Sequence, residues 1–201
     1  MNERIIEVAS KLFLERGIRA VSMDDIAQTL GISKRTLYET FSSKDELLVS
    51  CLEDMHRQNN EAHKIIDQSS DDILEIFVAH LFLTIKQIKS VSLAFLQDCA
   101  KMNKASFVKK FSEAKKQNRL YLCEKIKRGQ ELGIIRADIN VDITLGVFTE
   151  QQEVIKEIYA TGLYTMEEIF MTIFVMYLRG MCTPKGVEKI DHMIEKYKKN
   201  N

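Results

Sequence analysis

An all-α fold follows from three observations on this sequence. Apolar residues recur three and four apart along nearly the whole chain, the period of a helix with one buried face. Its 201 residues include one proline, eight glycines and no tryptophan, so breakers are few and connections should be short. Ser, Thr or Asp stands just ahead of many periodic stretches, where its side chain can accept from the free amides of a first helical turn. Hydrophobic residues at 45% supply a core and charged residues at 29% keep it in solution. The expectation is about nine to ten helices, arranged as a three-helix helix-turn-helix head and a larger helical body. The domain boundaries expected are 1–48 and 49–201.

Ile5, Ala9, Leu12 and Phe13 mark the inner face of a first helix, which Gly17 terminates. Met23, Ile26, Ala27 and Leu30 then share one face of a short second helix. Ser22 is its N-cap, with Asp25 three residues on. Gly31 ends it, since a residue just past a helix often needs positive φ. Ser33 restarts a helix at once, with Leu37 and Phe41 as its inner face. Helix, glycine turn and second helix make a form that can lay its second helix in a DNA major groove. The outward residues suit that placement. Lys34 and Arg35 are cations, Thr36 and Thr40 carry hydroxyls, and Tyr38 has a ring and a donor.

Ser43 and Glu46 read as a capping box for the next helix. Its apolar stripe (Leu48, Cys51, Leu52, Met55) runs out of the head and turns polar from Arg57. The helix is expected to end near Asp67. No flexible linker intervenes, so the head is joined by a rigid rod. His56 and His63 lie seven apart, about 10 Å along one face, too far for one metal ion; a solvated face is the reading.

Ser70-Asp71-Asp72 opens a helix with Ile73, Ile76, Phe77, Leu81 and Ile85 on its buried side, and a short helix follows over 91–100. Residues 101 to about 131 form the longest helical pattern. Between 101 and 128 ten Lys and Arg face two glutamates, a net of +8. That face is either simply solvated or draws nucleic acid or an anionic ligand. Gly129 and Gly133 bracket its end, and 134–140 is a connector. Val141 to Ala160 repeats apolar residues on one face, Gly162 breaks it, and Thr165 caps the next helix. There Ile169 to Leu178 is apolar almost all round, which requires cover on every side; a second copy of the chain is the expected cover of its outer face. A last amphipathic helix closes the chain.

Four cysteines (Cys51, Cys99, Cys123, Cys182) lie far apart in apolar helical contexts and read as reduced thiols rather than a zinc or disulfide framework. Net charge is zero, and residues 1–50 hold seven basic and eight acidic side chains. Binding to a polyanion must therefore rest on a few placed contacts. The start of the chain lacks the apolar core of a signal peptide, and the longest apolar run is well short of a membrane span. A cytoplasmic protein with no membrane partner is expected. A Gly-rich phosphate loop, Gly-x-Ser-x-Gly and His-Glu-x-x-His are all missing from the sequence, so the chain reads as no enzyme and as needing no cofactor or metal.

The stretch from Ile5-Ile6-Glu7-Val8-Ala9 and Leu12-Phe13, through Gly17 and Ser22-Met23-Asp24-Asp25-Ile26-Ala27, resembles the signature of the tetracycline-repressor (TetR) family of bacterial transcription regulators. The likeness continues through Gly31-Ile32-Ser33-Lys34-Arg35-Thr36-Leu37-Tyr38, Phe41 and Ser43-Lys44-Asp45-Glu46-Leu47-Leu48. It spans about a quarter of the chain; the rest is similar only as a variable helical body. The resemblance implies a ligand-responsive regulator, a repressor by family default, that binds a palindromic double-stranded DNA operator as a homodimer. A small-molecule effector in the C-terminal domain would release it.

Carried over by residue, Lys34, Arg35, Thr36, Tyr38 and Thr40 face the groove and Lys44 holds phosphate. Ser22 and Ser33 either add phosphate contacts or only cap. Arg35 or Lys34 reads guanine, and Tyr38 is either a phosphate contact or a packing residue. Glu39 and Thr40 stand where relatives often place aromatic or histidine residues. The resemblance also implies pairing of subunits through helices near 141–160 and 165–180. Polar residues on otherwise buried faces are the effector-pocket candidates: His80, Thr84, Gln97, Asp98, Thr144 and Gln151. The alternative for each is that it satisfies a neighbour or backbone in the core.

Overall fold

The structure is a computed structural model that describes residues 1–101, 119–150 and 152–200. Among these residues it is helical throughout, with no strand beyond one isolated bridge. The helices are α1 (Asn2–Arg16), α2 (Met23–Leu30), α3 (Lys34–Thr40), α4 (Lys44–Ser69), α5 (Ile73–Ile88) and α6 (Leu93–Ala100). They continue with α7, helical over 119–131, then α8 (Val141–Glu150), α9 (Gln152–Ala160), α10 (Met166–Met181) and α11 (Pro184–Asn200). Half of the ten basic residues of 101–128 (Lys104, Lys109, Lys110, Lys115 and Lys116) and the pocket candidate Gln151 lie outside the described residues.

The chain divides into two compact units. One is Met1–Ile65 with Ser90–Asn103, and the other is Ile66–Lys89 with Lys104–Asn201. The division falls inside α4, whose last turn, with Asp67, belongs to the second unit.

The first unit is built on short-range signals. Ser22 Oγ accepts from Asp25 N while the Asp25 carboxylate accepts from Ser22 N at 2.7 Å, a reciprocal cap for α2. Gly31 takes φ 67° and returns its amide to Ala27 and Gln28 carbonyls, a turn a side chain would strain. Ser33 caps α3 through Thr36 N at 3.0 Å. The cap of α4 differs in detail from the sequence expectation. Ser43 Oγ accepts from Glu46 N, but the Glu46 carboxylate turns to Ser42 N and Oγ, at 2.8 and 2.6 Å, and not to Ser43. Ile5, Phe13, Ile26, Leu37 and Leu47 form the core, each at most 1% exposed. Burying such side chains contributes about 1.5–3 kcal/mol apiece before entropy is charged.

A sixth helix joins this unit from far along the chain. Ser92 N donates to Leu14 O at 2.8 Å, and Asp98 accepts from Arg19 N at 2.9 Å while pairing with the Arg19 guanidinium at 3.3 Å. Gly17 permits the approach: a Cβ there would sit 2.8 Å from Ala94 Cβ. α6 thus packs on α1.

In the second unit α5 is the centre, with Ile73, Leu74, Phe77, Leu81 and Ile85 meeting Ile126, Leu178 and Ile190 from three other helices. Asp72 caps α5 through Leu74 N and also pairs with Lys189 of α11. The connector after α7 bonds to the α10–α11 turn, Arg136 N to Met181 O and Thr183 N to Ile134 O, both at 2.9 Å. α10 gives one side of its apolar run to its own protomer. Phe170, Met171, Phe174 and Val175 pack on the protomer's own core, and within 169–178 Met176 is the large hydrophobic left exposed, at 61%. No single helix among the described residues is long and apolar enough to cross a membrane.

Candidate nucleic-acid interface

Leu37 is fully buried and Phe41 nearly so, which turns the opposite side of α3 to solvent. On that side Lys34 and Arg35 are exposed, and Tyr38 is 43% exposed. The tyrosine is therefore open to contact and not committed to the core. The two cations are each answered by a carboxylate. Lys34 Nζ pairs with Asp24 of α2 at 2.7 Å, which raises the lysine pKa. Arg35 Nε donates to Glu39 Oε1, one turn along α3, at 2.9 Å. The near-neutral charge count of the head thus takes the form of specific pairs on its outer face.

The hydroxyls of the expected set are engaged locally. Ser33 and Thr36 share a hydrogen bond at 2.8 Å, and Thr40 Oγ1 donates to the Thr36 carbonyl at 3.0 Å. Ser22 Oγ is held by Asp25, and those bonds keep the Asp25 carboxyl below its ordinary range. Lys44 Nζ stands over the Phe13 ring, 6.0 Å from its centroid. This contact places a cation at the first turn of α4, where a phosphate would also meet backbone amides.

The candidates for an effector site divide between the two units. Gln97 and Asp98 belong to the unit of the head, Gln97 exposed and Asp98 bonded to Arg19. His80, Thr84 and Thr144 belong to the other unit. Thr84 and Thr144 hydroxyls bond to carbonyls one turn back, of His80 and Asn140. His80 is different. Its Nε2 lies 2.8 Å from Asp67 Oδ1, and the Tyr121 hydroxyl donates to that same oxygen. Burial, the hydrogen bond and the Asp67 charge push the Tyr121 phenol well above the ordinary tyrosine value. Neither Asp67 nor Tyr121 is an effector-pocket candidate from sequence. They lie 54 residues apart, and no local pattern connects them. Among the described residues no group of three or more His, Cys, Asp or Glu side chains could hold a metal ion. Cys51 and Cys182 are buried thiols whose pKa burial pushes up to about 11, well away from a reactive thiolate.

Residues 5–51 match the family described as bacterial regulatory proteins, tetR family. The transcriptional repressor KstR2 of Rhodococcus jostii is 28% identical over 190 residues, 90% of each chain. The transcriptional activator FasR of Mycolicibacterium smegmatis is 44% identical over 50 residues, 25% of this chain and 23% of its own. Among solved structures, a transcriptional regulator from Saccharomonospora viridis in complex with choline superposes with a TM-score of 0.77 at 18% identity, covering 90% of this chain and 97% of that one. KstR2 of Mycobacterium tuberculosis superposes at 0.64 with 24% identity, covering 90% and 95%. At these identities the structural likenesses show the fold.

Proposed function

We propose, for a chain that belongs to the tetR family of bacterial regulatory proteins and is a DNA-binding transcription regulator, that it represses by binding a palindromic operator as a homodimer and is released by a small-molecule effector. The DNA-binding domain spans 1–48, and residues 49–201 carry effector binding and dimer contact. The observation that carries this reading is α3. It follows the Gly31 turn, is anchored by Leu37, and presents Arg35, Lys34 and Tyr38 outward together. A two-fold dimer would set two such helices in successive major grooves, about 34 Å apart. Lys44, Ser22 and Ser33 lie at helix starts and supply phosphate contacts; Thr36 and Thr40 line the same helix.

Dimer contact through α8 to α10 is supported by Ile143, Val147, Val154 and Met176, all large hydrophobics left exposed on those helices. The effector is assigned to the body, with His80, beside Asp67 and Tyr121, as its best-placed polar group. No catalytic step belongs to this reading, and the place of action is the cytoplasm.

Mutating Lys34, Arg35 and Tyr38 together to alanine tests the reading. Gel-shift and anisotropy titrations on DNA flanking its own gene should show specific binding lost. Unchanged binding, or none by the wild type, rejects it. Lys44→Ala alone should lower the salt slope by about one and leave sequence preference intact. For the dimer, Met176→Arg with Val147→Arg should sediment as a monomer; a persisting dimer removes α8 and α10 from the interface. The answered charges of Lys34 and Arg35 favour a second reading, a protein-binding adaptor that kept the head shape. Loss of specific DNA binding in the triple variant decides against it.

A further inference from the structure

We propose that Glu39 is a positioning residue for base readout, holding the Arg35 guanidinium by its Nε so that the two terminal nitrogens are left to grip one guanine edge. The inference rests on the DNA-reading function above and concerns how that reading gains its selectivity.

The geometry is one turn of helix. Arg35 Nε donates to Glu39 Oε1 at 2.9 Å, four residues on along α3. No other hydrogen bond to the Arg35 guanidinium occurs among the described residues. The bond uses one edge of the planar guanidinium and leaves Nη1 and Nη2 at its end, a parallel pair of donors. Guanine offers N7 and O6 side by side in the major groove, the matching pair of acceptors. An unheld arginine has several rotatable bonds to order on contact; one already tied at Nε has fewer.

The neighbouring cation does not compete for this role. Lys34 Nζ is 2.7 and 2.8 Å from the two oxygens of Asp24, drawn to the α2 flank. An ammonium is a point charge and cannot select a two-acceptor edge as a fork can. Lys34 therefore supplies charge near the backbone and Arg35 supplies the base contact.

Glu39 makes little sense as a device for affinity alone, because a carboxylate on a groove-facing helix repels phosphate. It makes little sense as a fold stabiliser either, since ion pairs this exposed contribute almost nothing. What it can add is discrimination, at the expense of general attraction. The same exposure means that variants at 39 will fold.

The experiment selects a preferred duplex for the wild-type protein from a randomised pool. Affinities are then measured on that duplex and on duplexes carrying each single base-pair change. Arg35→Ala should lose discrimination at one G·C pair per half-site by about 5- to 150-fold. Glu39→Ala should lose about two- to tenfold at that same pair, while binding other sequences more tightly because a negative charge has gone. Glu39→Gln removes the charge but keeps an acceptor oxygen, so it should gain the same general affinity and retain most of the discrimination. The Glu39→Ala/Arg35→Ala double variant should discriminate no worse than Arg35→Ala. Wild-type discrimination in Glu39→Ala would overturn the inference, leaving Glu39 a merely repulsive charge. A further loss on adding Glu39→Ala to Arg35→Ala would also overturn it, because Glu39 would then read a base itself. A wild type that selects no sequence would overturn the DNA-reading function and this inference with it. A selective wild type whose Glu39→Ala variant keeps wild-type discrimination would overturn the inference alone.

Discussion

In the head, the polar side chains that shape the structure mostly bond to neighbours three or four residues away: Ser22 with Asp25, Ser33 with Thr36, Arg35 with Glu39. The body has such local bonds too, Thr84 to His80 and Thr144 to Asn140, but others there cross the chain. Asp67 receives His80 from 13 residues on and Tyr121 from 54, and Asp72 meets Lys189. Short-range bonds form whenever a helix starts in the right place, so they belong to the local sequence. Long-range bonds exist only after helices have packed, so they report the particular tertiary arrangement of this protein. A head specified locally can keep one reading geometry while the body varies around it.

The largest effect should come from the core under the reading helix. Leu37→Ala removes a fully buried side chain and should cost about 2–5 kcal/mol, measured by urea denaturation followed by helical circular dichroism. A cost below about 1 kcal/mol would mean that α3 is not anchored by this residue. Next in size is the long-range bond of the body. Asp67→Ala takes the acceptor from both His80 and Tyr121 and should cost about 1–3 kcal/mol, read by the same titration. Stability equal to wild type would show that the shared acceptor is immaterial, and the contrast between the regions would lose its best example. Smaller again, Ser22→Ala should cost about 1 kcal/mol through loss of the α2 cap. If it costs nothing, local capping does not specify the head.

How much could be read in advance follows the same division. Gly17, Ser22, Gly31, Ser33 and Thr165 act in the structure as their sequence positions indicate, because caps and left-handed glycines are set within one turn. The capping box at Ser43 is half realised, since Glu46 has two adjacent serines to choose from and turns to Ser42. Asp98, a pocket candidate by its polar character on an apolar helix, is bonded to Arg19, 79 residues away. No pattern in the sequence carries that distance. The apolar run Ile169–Leu178 shows another limit. Periodicity says that all sides need cover, but not how much of it α5 and α11 supply.

Titration separates the regions at the level of the smallest effects. Hydrogen bonds from Ser22 and Ser42 hold Asp25 and Glu46 below their ordinary values of 3.8 and 4.5. A depressed folded pKa contributes stability that is complete above the unfolded value and lost as pH falls through the folded one. The head caps should therefore weaken as pH falls below 4.5 for Glu46 and 3.8 for Asp25. Tyr121 has the opposite sign. Its folded pKa is raised above the ordinary 10.0, so its contribution is complete below that value and lost as pH rises through the folded one. Stability against pH should thus show an alkaline limb that Tyr121→Phe removes. A limb surviving in that variant would assign it elsewhere.

The most direct test of DNA reading by a paired head is a hydroxyl-radical footprint of the wild-type protein on DNA flanking its own gene. Two protected patches on one face of the duplex, about one helical turn apart, are expected, with both lost together in the Lys34, Arg35 and Tyr38 triple variant. Protection of a single patch, or protection that survives in the triple variant, would contradict a paired head reading DNA through α3.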